Sequence, residues 1–182
     1  MALSPVPAGP TIKSILNSID LDKDGRVSRD EMTKMVEASG IGGGFFGGIK
    51  VSMAVDDIMN RLDTSKDGFV TMDEGRAQLI SRFTTGGVPA LGVIPTAAGR
   101  WFDATDTDKD GSLEHDELTG PVKAELTREG ETLVDQKTDP STSIVTYLLT
   151  GDGNGKVTKD QVLSLAKDVD TQLHTPAPKP VI

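Results

Sequence analysis

The sequence predicts an all-α fold of four helix–loop–helix units, arranged as two paired lobes that pack into one compact body. Three observations support this prediction. Four related twelve-residue stretches start at positions 20, 63, 106 and 150, so the chain repeats at a nearly constant interval. Apolar residues at helical spacing flank these stretches. The chain has 182 residues, of which 36% are hydrophobic, so it can bury one sizeable core or two small ones.

The first three stretches align without gaps. They read DLDKDGRVSRDE at 20–31 (loop 1), DTSKDGFVTMDE at 63–74 (loop 2) and DTDKDGSLEHDE at 106–117 (loop 3). Each has oxygen-bearing side chains at positions 1, 3 and 5, a glycine at position 6, an apolar residue at position 8 and a glutamate at position 12. This is the pattern of an EF-hand calcium loop.

The chemistry of calcium explains this spacing. Ca²⁺ is a hard cation that takes about six to eight oxygen ligands, so a tight loop has to turn alternate side chains inward. The glycine at position 6 allows a positive φ, where a Cβ would be strained. Position 7 offers its backbone carbonyl, and the glutamate at position 12 offers two oxygens. The predicted ligands of three calcium ions are Asp20, Asp22, Asp24, Arg26, Ser28 and Glu31 in loop 1, Asp63, Ser65, Asp67, Phe69, Thr71 and Glu74 in loop 2, and Asp106, Asp108, Asp110, Ser112, Glu114 and Glu117 in loop 3.

Helices are predicted on both sides of the loops from apolar residues three and four positions apart. These residues are Ile12, Ile15, Leu16 and Ile19 before loop 1, Val51, Val55, Ile58 and Leu62 before loop 2, and Met72, Leu79, Ile80 and Phe83 after it. Trp101 and Phe102 are expected to anchor the helix that enters loop 3. Gly120 and Pro121 are expected to interrupt the helix that leaves it.

The fourth stretch, TGDGNGKVTKDQ at 150–161 (loop 4), keeps the glycine spacing but not the charges at its ends. Thr150 at position 1 is neutral, and Gln161 at position 12 offers one oxygen where glutamate offers two. We expect loop 4 to be empty and to serve as the folding partner of loop 3; the alternative is a weak site that fills at high calcium. Ser65 replaces a carboxylate in loop 2, which is therefore expected to be the weakest of the first three.

The four helix–loop–helix units predict that the chain divides into two hand pairs, a connector and a tail. Residues 11–84 form the first hand pair and residues 96–173 the second, with an apolar connector at 85–95 and a proline-rich tail at 174–182. Glycines and prolines in the connector exclude one long central helix. Its apolar residues, Leu91 among them, are unsuited to a solvated tether, so we expect the connector to pack across the two lobes.

Nearly the whole chain resembles the EF-hand superfamily. The wide repeat spacing and the degenerate fourth hand are most similar to the sarcoplasmic calcium-binding protein and calerythrin type of four-hand protein. That resemblance implies a compact fold and a role as a calcium buffer. It also implies that hands pair through a short β contact between their loops, which would set Val27 beside Val70 and Leu113 beside Val157.

Calcium binding is compatible with two roles, and the sequence leaves both open. A buffer, or a compact signal-modulating protein, would bind calcium and change shape little. A sensor would expose an apolar, methionine-containing groove to a protein or a helical peptide. The methionines of the first half suit such a groove, but methionines at helical spacing are more often plain core. Phe45 and Phe46 suit either a core or a partner contact.

Charge and composition narrow the other possibilities. A net charge of −9 argues against nucleic acid and anionic membranes as partners. The chain has no cysteine, and with its carboxylates assigned as ligands no nucleophile or acid–base set remains, so we expect no enzyme. No apolar run is long enough to span a membrane. No secretory signal or myristoylation site is apparent, and we expect a monomer in the cytoplasm.

Overall fold

The computed structural model describes residues 9–41, 47–84, 89–128, 130, 134–150 and 155–175. Within these residues the chain forms eight helices and four short strands, which confirms the predicted all-α fold. The helices are α1 Ile12–Ile19, α2 Arg29–Ala38, α3 Gly47–Leu62, α4 Met72–Thr84, α5 Val93–Thr105, α6 His115–Arg128, α7 Val134–Thr150 and α8 Lys159–His174, and the strands are β1 Arg26–Ser28, β2 Phe69–Thr71, β3 Ser112–Leu113 and β4 Val157–Thr158.

A short antiparallel ribbon joins the two loops of each pair. Strands β1 and β2 place Val27 opposite Val70, and strands β3 and β4 place Leu113 opposite Val157. All four side chains are almost fully buried. The predicted contact between the apolar residues at loop position 8 is confirmed.

Helices α1, α2 and α8 begin at capping boxes. The N-cap residues Thr11, Ser28 and Thr158 each accept a hydrogen bond from the backbone N–H three residues later, and the side chain there bonds back to the N-cap. In α2 and α8 the box joins loop positions 9 and 12. The last residues of a loop therefore also start the helix that follows it.

The core of the first hand pair includes side chains from α7, a helix of the second pair. This core is built around Met35 and Val55, and Tyr147 of α7 lies inside the same cluster with 7% of its surface exposed. Ile144 and Leu148, on the same helix, pack against the cluster. Helix α7 thus covers part of the apolar surface of the first pair.

In a second core, a helix of the first pair contributes side chains to the core of the second pair. Ile12 and Leu16 of α1 are buried together with Ile94 of α5 and Val169 of α8. The backbone N–H of Ile12 also donates to Oδ2 of Asp168 at 2.8 Å. Because each pair contributes side chains to the core of the other, the two pairs form one compact body, as predicted.

A third cluster anchors loop 3, and here the expectation for Trp101 is wrong. Phe102 is 1% exposed and packs with Leu113, Leu118 and Val157, whereas Trp101 is 40% exposed. Successive residues of an α-helix point about 100° apart, and here this turn directs Phe102 into the cluster and Trp101 towards solvent. Of this pair, Phe102 is the residue that anchors α5 beside loop 3.

Pro95 and Pro121 lie within helices, and the expectation that Gly120 and Pro121 interrupt a helix is wrong. Helix α5 begins at Val93, so Pro95 lies in its first turn, where the backbone N–H that proline lacks has no partner inside the helix. Helix α6 runs through Pro121 without interruption. The preceding Gly120 has no Cβ for the proline ring to clash with, which removes part of the usual cost.

Among the described residues of the connector, some pack against the rest of the chain and others are exposed. Ile94 is buried and the N–H of Gly92 donates to Oδ2 of Asp170 at 2.8 Å, but Leu91 is 71% exposed. The expectations for residues 85–88, for Phe45 and Phe46 and for the tail beyond residue 175 lie outside the described residues. None of the helices in the described ranges is both long and apolar enough to cross a membrane.

Candidate metal centres

The backbone of loops 1 to 3 coils through two left-handed positions. The glycines at position 6 have φ values of 90°, 89° and 87°, as predicted. Position 4 also has a positive φ in all three loops, although it holds lysine each time: 63° at Lys23, 58° at Lys66 and 60° at Lys109. Sequence analysis missed this second position. The sequence did carry a signal, because Lys-Asp-Gly repeats at positions 4 to 6 of all three loops. A non-glycine residue with a positive φ costs on the order of 1 kcal/mol, so its surroundings have to support it.

Asp20 and Asp106, at position 1 of loops 1 and 3, each have one carboxylate oxygen in use and one without a partner. Their Oδ2 atoms accept hydrogen bonds from the N–H of the position-6 glycine, at 3.0 and 3.1 Å. Their Oδ1 atoms are buried and have no hydrogen-bond partner among the described residues. A buried carboxylate oxygen of this kind is costly unless a cation binds it. Both oxygens fit a metal ligand.

Neighbouring carboxylates converge on the same places. In loop 1, oxygens of Asp20, Asp22 and Asp24 lie within 4.8 Å of one another. Loop 3 has two such groups that share one member: Asp106, Asp108 and Glu117, and Asp108, Asp110 and Glu114. Clustered carboxylate oxygens are the ligands that calcium prefers.

The glutamate at position 12 connects the two ends of loop 1. Oε1 of Glu31 accepts hydrogen bonds from the N–H groups of Leu21 and Asp22, at 2.7 and 3.2 Å, and Oε2 accepts from the N–H and hydroxyl of Ser28, both at 2.8 Å. Burial alone would raise the pKa of Glu31, but these bonds outweigh it and the pKa is lowered. The carboxylate is thus held ionised at the position where it would ligate calcium.

Loops 2 and 3 repeat this arrangement. Hydrogen bonds from the N–H groups of Thr71 and Ser65 lower the pKa of Glu74 to about 2. The N–H and hydroxyl of Thr107 do the same for Glu117, whose pKa is also lowered to about 2. The predicted position-12 ligands of all three loops are therefore negatively charged near neutral pH.

Loop 2 differs at position 1. Oδ1 of Asp63 accepts hydrogen bonds from the hydroxyl of Ser65 at 3.3 Å and from the N–H of Asp67 at 3.2 Å. The described part of loop 2 also has no convergent group of three carboxylates like those of loops 1 and 3. Loop 2, which is predicted to bind calcium most weakly, is therefore the loop in which Oδ1 of the position-1 carboxylate has hydrogen-bond partners.

Comparison with known families agrees with this geometry. Residues 10–74 match the family model described as an EF-hand domain pair, and residues 99–120 match the one described as an EF hand. Residues 10–74 and 99–120 are thus EF-hand regions, and loops 1, 2 and 3 lie within them. The EF hands and the acidic loops of the chain support calcium binding, and the EF-hand family is in general not enzymatic. No match to a curated protein was found. The resemblance to the sarcoplasmic and calerythrin type stays a prediction.

Neither matched range reaches loop 4, but the described residues of that loop keep the end of an EF hand. Oε1 of Gln161 accepts from the N–H of Thr158 at 2.8 Å, as Oε2 of Glu31 does from Ser28. Its amide nitrogen donates to the carbonyl of Leu149 at 3.1 Å and so cannot ligate a cation. Gln161 therefore preserves the helix cap and keeps one of the two oxygens that a glutamate would offer. The other predicted positions, Asp152 and Asn154, lie outside the described residues.

Lys156, at position 7 of this fourth EF hand, is a site residue that sequence analysis missed. Its Nζ lies 2.7 Å from Oδ2 of Asp110 and also contacts Oε1 of Glu114. The bond to Lys156, helped by hydrogen bonds from Ser112, holds the pKa of Asp110 well below its usual range. The signal was present in the predicted ribbon: pairing Leu113 with Val157 sets Glu114 opposite Lys156 one residue further along.

Proposed function

We propose that this EF-hand protein is a calcium buffer that binds three ions, one in each of loops 1, 2 and 3, with little change in its exposed apolar surface. One observation carries the choice of buffer over sensor. Each hand pair has part of its apolar surface covered by a helix from the other pair. A sensor has to free that surface for a target, whereas a buffer does not.

The buried residues of the first pair support this proposal. Tyr147 occupies the core there, and Met32, Met35 and Met59 are 2%, 1% and 7% exposed. Methionines that are available to a target would lie at an open surface. These three belong to the plain core that the sequence left as one of two possibilities.

The ligand sets support a count of three ions. Loops 1 and 3 each have a buried position-1 oxygen without a partner, and all three loops have an ionised glutamate at position 12. A bound calcium ion supplies a double positive charge that offsets repulsion among the clustered carboxylates. The binding energy would add to the stability of the folded chain. Loop 4 would act through its ribbon, as the partner that loop 3 needs to bury Leu113.

A sensor remains the second candidate because of one exposed apolar pair. Ile49 and Met53 lie one turn apart on α3 and are 60% and 58% exposed. A target helix would need a larger patch than these two side chains provide. The sensor role therefore requires that calcium expose further apolar surface.

The fluorescence of an apolar dye such as ANS distinguishes the two roles. The dye is added to the protein in saturating calcium and, separately, in magnesium alone. We expect an unchanged or lower signal in calcium, because the apolar faces stay covered. A strong rise specific to calcium would overturn the buffer proposal. The variant Tyr147→Ala serves as positive control, because it removes part of the cover and should raise dye binding in both conditions.

Oligomeric state and location are part of the same proposal. We propose a monomer, since both cores are completed within one chain. We propose the cytoplasm as its location. Sedimentation velocity with and without calcium tests the monomer, and a dimer in either condition would contradict it. Fluorescent tagging in the source cell tests the location.

A further inference from the structure

We propose that Lys156 in loop 4 is an internal cation that competes with calcium at loop 3 and lowers the affinity of that loop. The inference rests on the proposed calcium binding at loop 3. It gives the degenerate loop 4 a role in calcium binding beyond its ribbon, and it identifies the side chain that performs it.

The atom that Lys156 contacts on Asp110 is the one more open to a metal. Oδ1 of Asp110 accepts hydrogen bonds from the N–H of Ser112 at 2.9 Å and from its hydroxyl at 2.6 Å. Oδ2 accepts no such bond from loop 3 among the described residues, so it is the oxygen more open to calcium, and it lies 2.7 Å from Nζ of Lys156. Two cations on one carboxylate oxygen repel each other, so calcium would have to displace the ammonium group or tolerate it.

The second contact of Lys156 is on another predicted ligand. Its Nζ also contacts Oε1 of Glu114, at loop position 9. One side chain thus engages two of the five carboxylates that loop 3 places at ligand positions. Because the lysine side chain is 57% exposed, these are solvated ion pairs of modest strength that calcium can overcome. Lys156 would tune the affinity of loop 3 and not abolish binding.

The first hand pair has a cation at the same place in its ribbon, but its contacts differ. Arg26, position 7 of loop 1, lies opposite Thr71, position 9 of loop 2. It bonds to Asp24 of its own loop at 2.9 Å and stacks over the ring of Phe69 of loop 2 at 4.1 Å. Its charge also acts on Asp67 of loop 2, although no ion pair joins the two side chains in the described residues. An ion pair between a cation of one loop and the ligand carboxylates of the other is therefore a feature of the second pair, among the described residues.

The test compares two variants that remove the same charge. Lys156→Gln removes the ammonium group that contacts Asp110 and Glu114. Lys159→Gln removes one that bonds to Asp103, a residue of α5 that is not a predicted ligand. Both are made in a background carrying Glu31→Gln and Glu74→Gln, so that loop 3 is the calcium site that remains. Calcium affinity is measured by isothermal titration calorimetry.

We expect Lys156→Gln to tighten calcium binding about 3- to 10-fold, which is the range that two exposed ion pairs would give. Lys159→Gln should change it less than about 2-fold. The gain from Lys156→Gln should shrink from about 0.01 M to about 1 M salt, because the Debye length falls from about 30 Å to about 3 Å. A loss of packing would not show this salt dependence.

A parallel titration in the otherwise unchanged chain covers the case in which the background variant is unfolded. It follows the fluorescence of Trp101, the single tryptophan, which lies on α5 ahead of loop 3. Equal affinities for the two lysine variants, or weaker binding in Lys156→Gln, would overturn the inference while leaving the buffer proposal intact. Absence of calcium binding at loop 3 in every variant would overturn the proposed function at that loop, and the inference with it.

Discussion

The two hand pairs have the same ribbon but differ in the residues at the predicted ligand positions of their loops. In the first pair both loops have a carboxylate at position 1 and a glutamate at position 12. In the second pair loop 3 has these residues, while loop 4 has Thr150 and Gln161 in their place. Lys156 of loop 4 forms an ion pair with Asp110 of loop 3. Yet both pairs bury the position-8 side chains equally well. The apolar residues at position 8 are thus separate from the residues at positions 1 and 12, so the apolar pairing can be kept where the end carboxylates are lost.

The largest expected effect is the loss of a whole ion. Glu31→Gln, Glu74→Gln and Glu117→Gln should each reduce the number of bound calcium ions by one, because each removes a charge and one of two ligating oxygens. Calorimetry or native mass spectrometry measures the count.

The matched controls for these variants are the aspartates at position 11: Asp30→Asn, Asp73→Asn and Asp116→Asn. They remove the same charge from the same loops at exposed positions that are not predicted ligands. Their ion count should stay unchanged. If a glutamate variant and its aspartate control behaved alike, the ligand assignment in that loop would be wrong.

A smaller effect tests the dependence of the first pair on α7. Tyr147→Ala should lower the free energy of unfolding by about 3 kcal/mol, because it leaves a cavity in the first core. Val145→Ala, on the same helix but 37% exposed, should change it by less than about 1 kcal/mol. Urea unfolding in calcium and in a chelator gives both values. Similar losses for the two variants would mean that α7 does not complete the first core.

The smallest effect sharpens the contrast between loop 2 and its neighbours. Ser65→Asp should tighten calcium binding at loop 2 about tenfold, because it adds a carboxylate at position 3 and removes the hydroxyl that bonds to Asp63. Asn60→Asp adds the same charge at an exposed site on α3, outside the loop, and should have little effect. Calorimetric titration of both variants measures the difference. A comparable gain in Asn60→Asp would reduce the effect to general electrostatics.

The parts of this fold that sequence predicted are those that depend on short spacing. The glycine at position 6 has a positive φ because the loop turns there, and Val27 meets Val70 because both occupy the same place in a repeated unit. The first requirement lies within a dozen residues, where the pattern itself states it, and the second was implied by the resemblance to the EF-hand superfamily.

The parts that sequence missed depend on contacts between distant segments or on competing local effects. Nothing in the pattern of α7 indicates that Tyr147 belongs to the core of the other pair. Lys156 reaches Asp110 only because the ribbon sets their loops side by side. The prediction for Pro121 failed although its missing N–H still costs α6 a hydrogen bond; Gly120 removes the part of the cost that comes from the Cβ of the preceding residue. In the first two cases the deciding contact joins segments that are far apart in the chain, and in the third it depends on the identity of one neighbouring residue.

The central claim is that three of the four loops bind calcium and the fourth serves as a structural partner. Native mass spectrometry of the unaltered protein in rising calcium tests it most directly. We expect the spectrum to saturate at three bound calcium ions. A fourth ion bound as tightly as the others would show that loop 4 is a working site, and saturation at two would show that one of loops 1 to 3 is not.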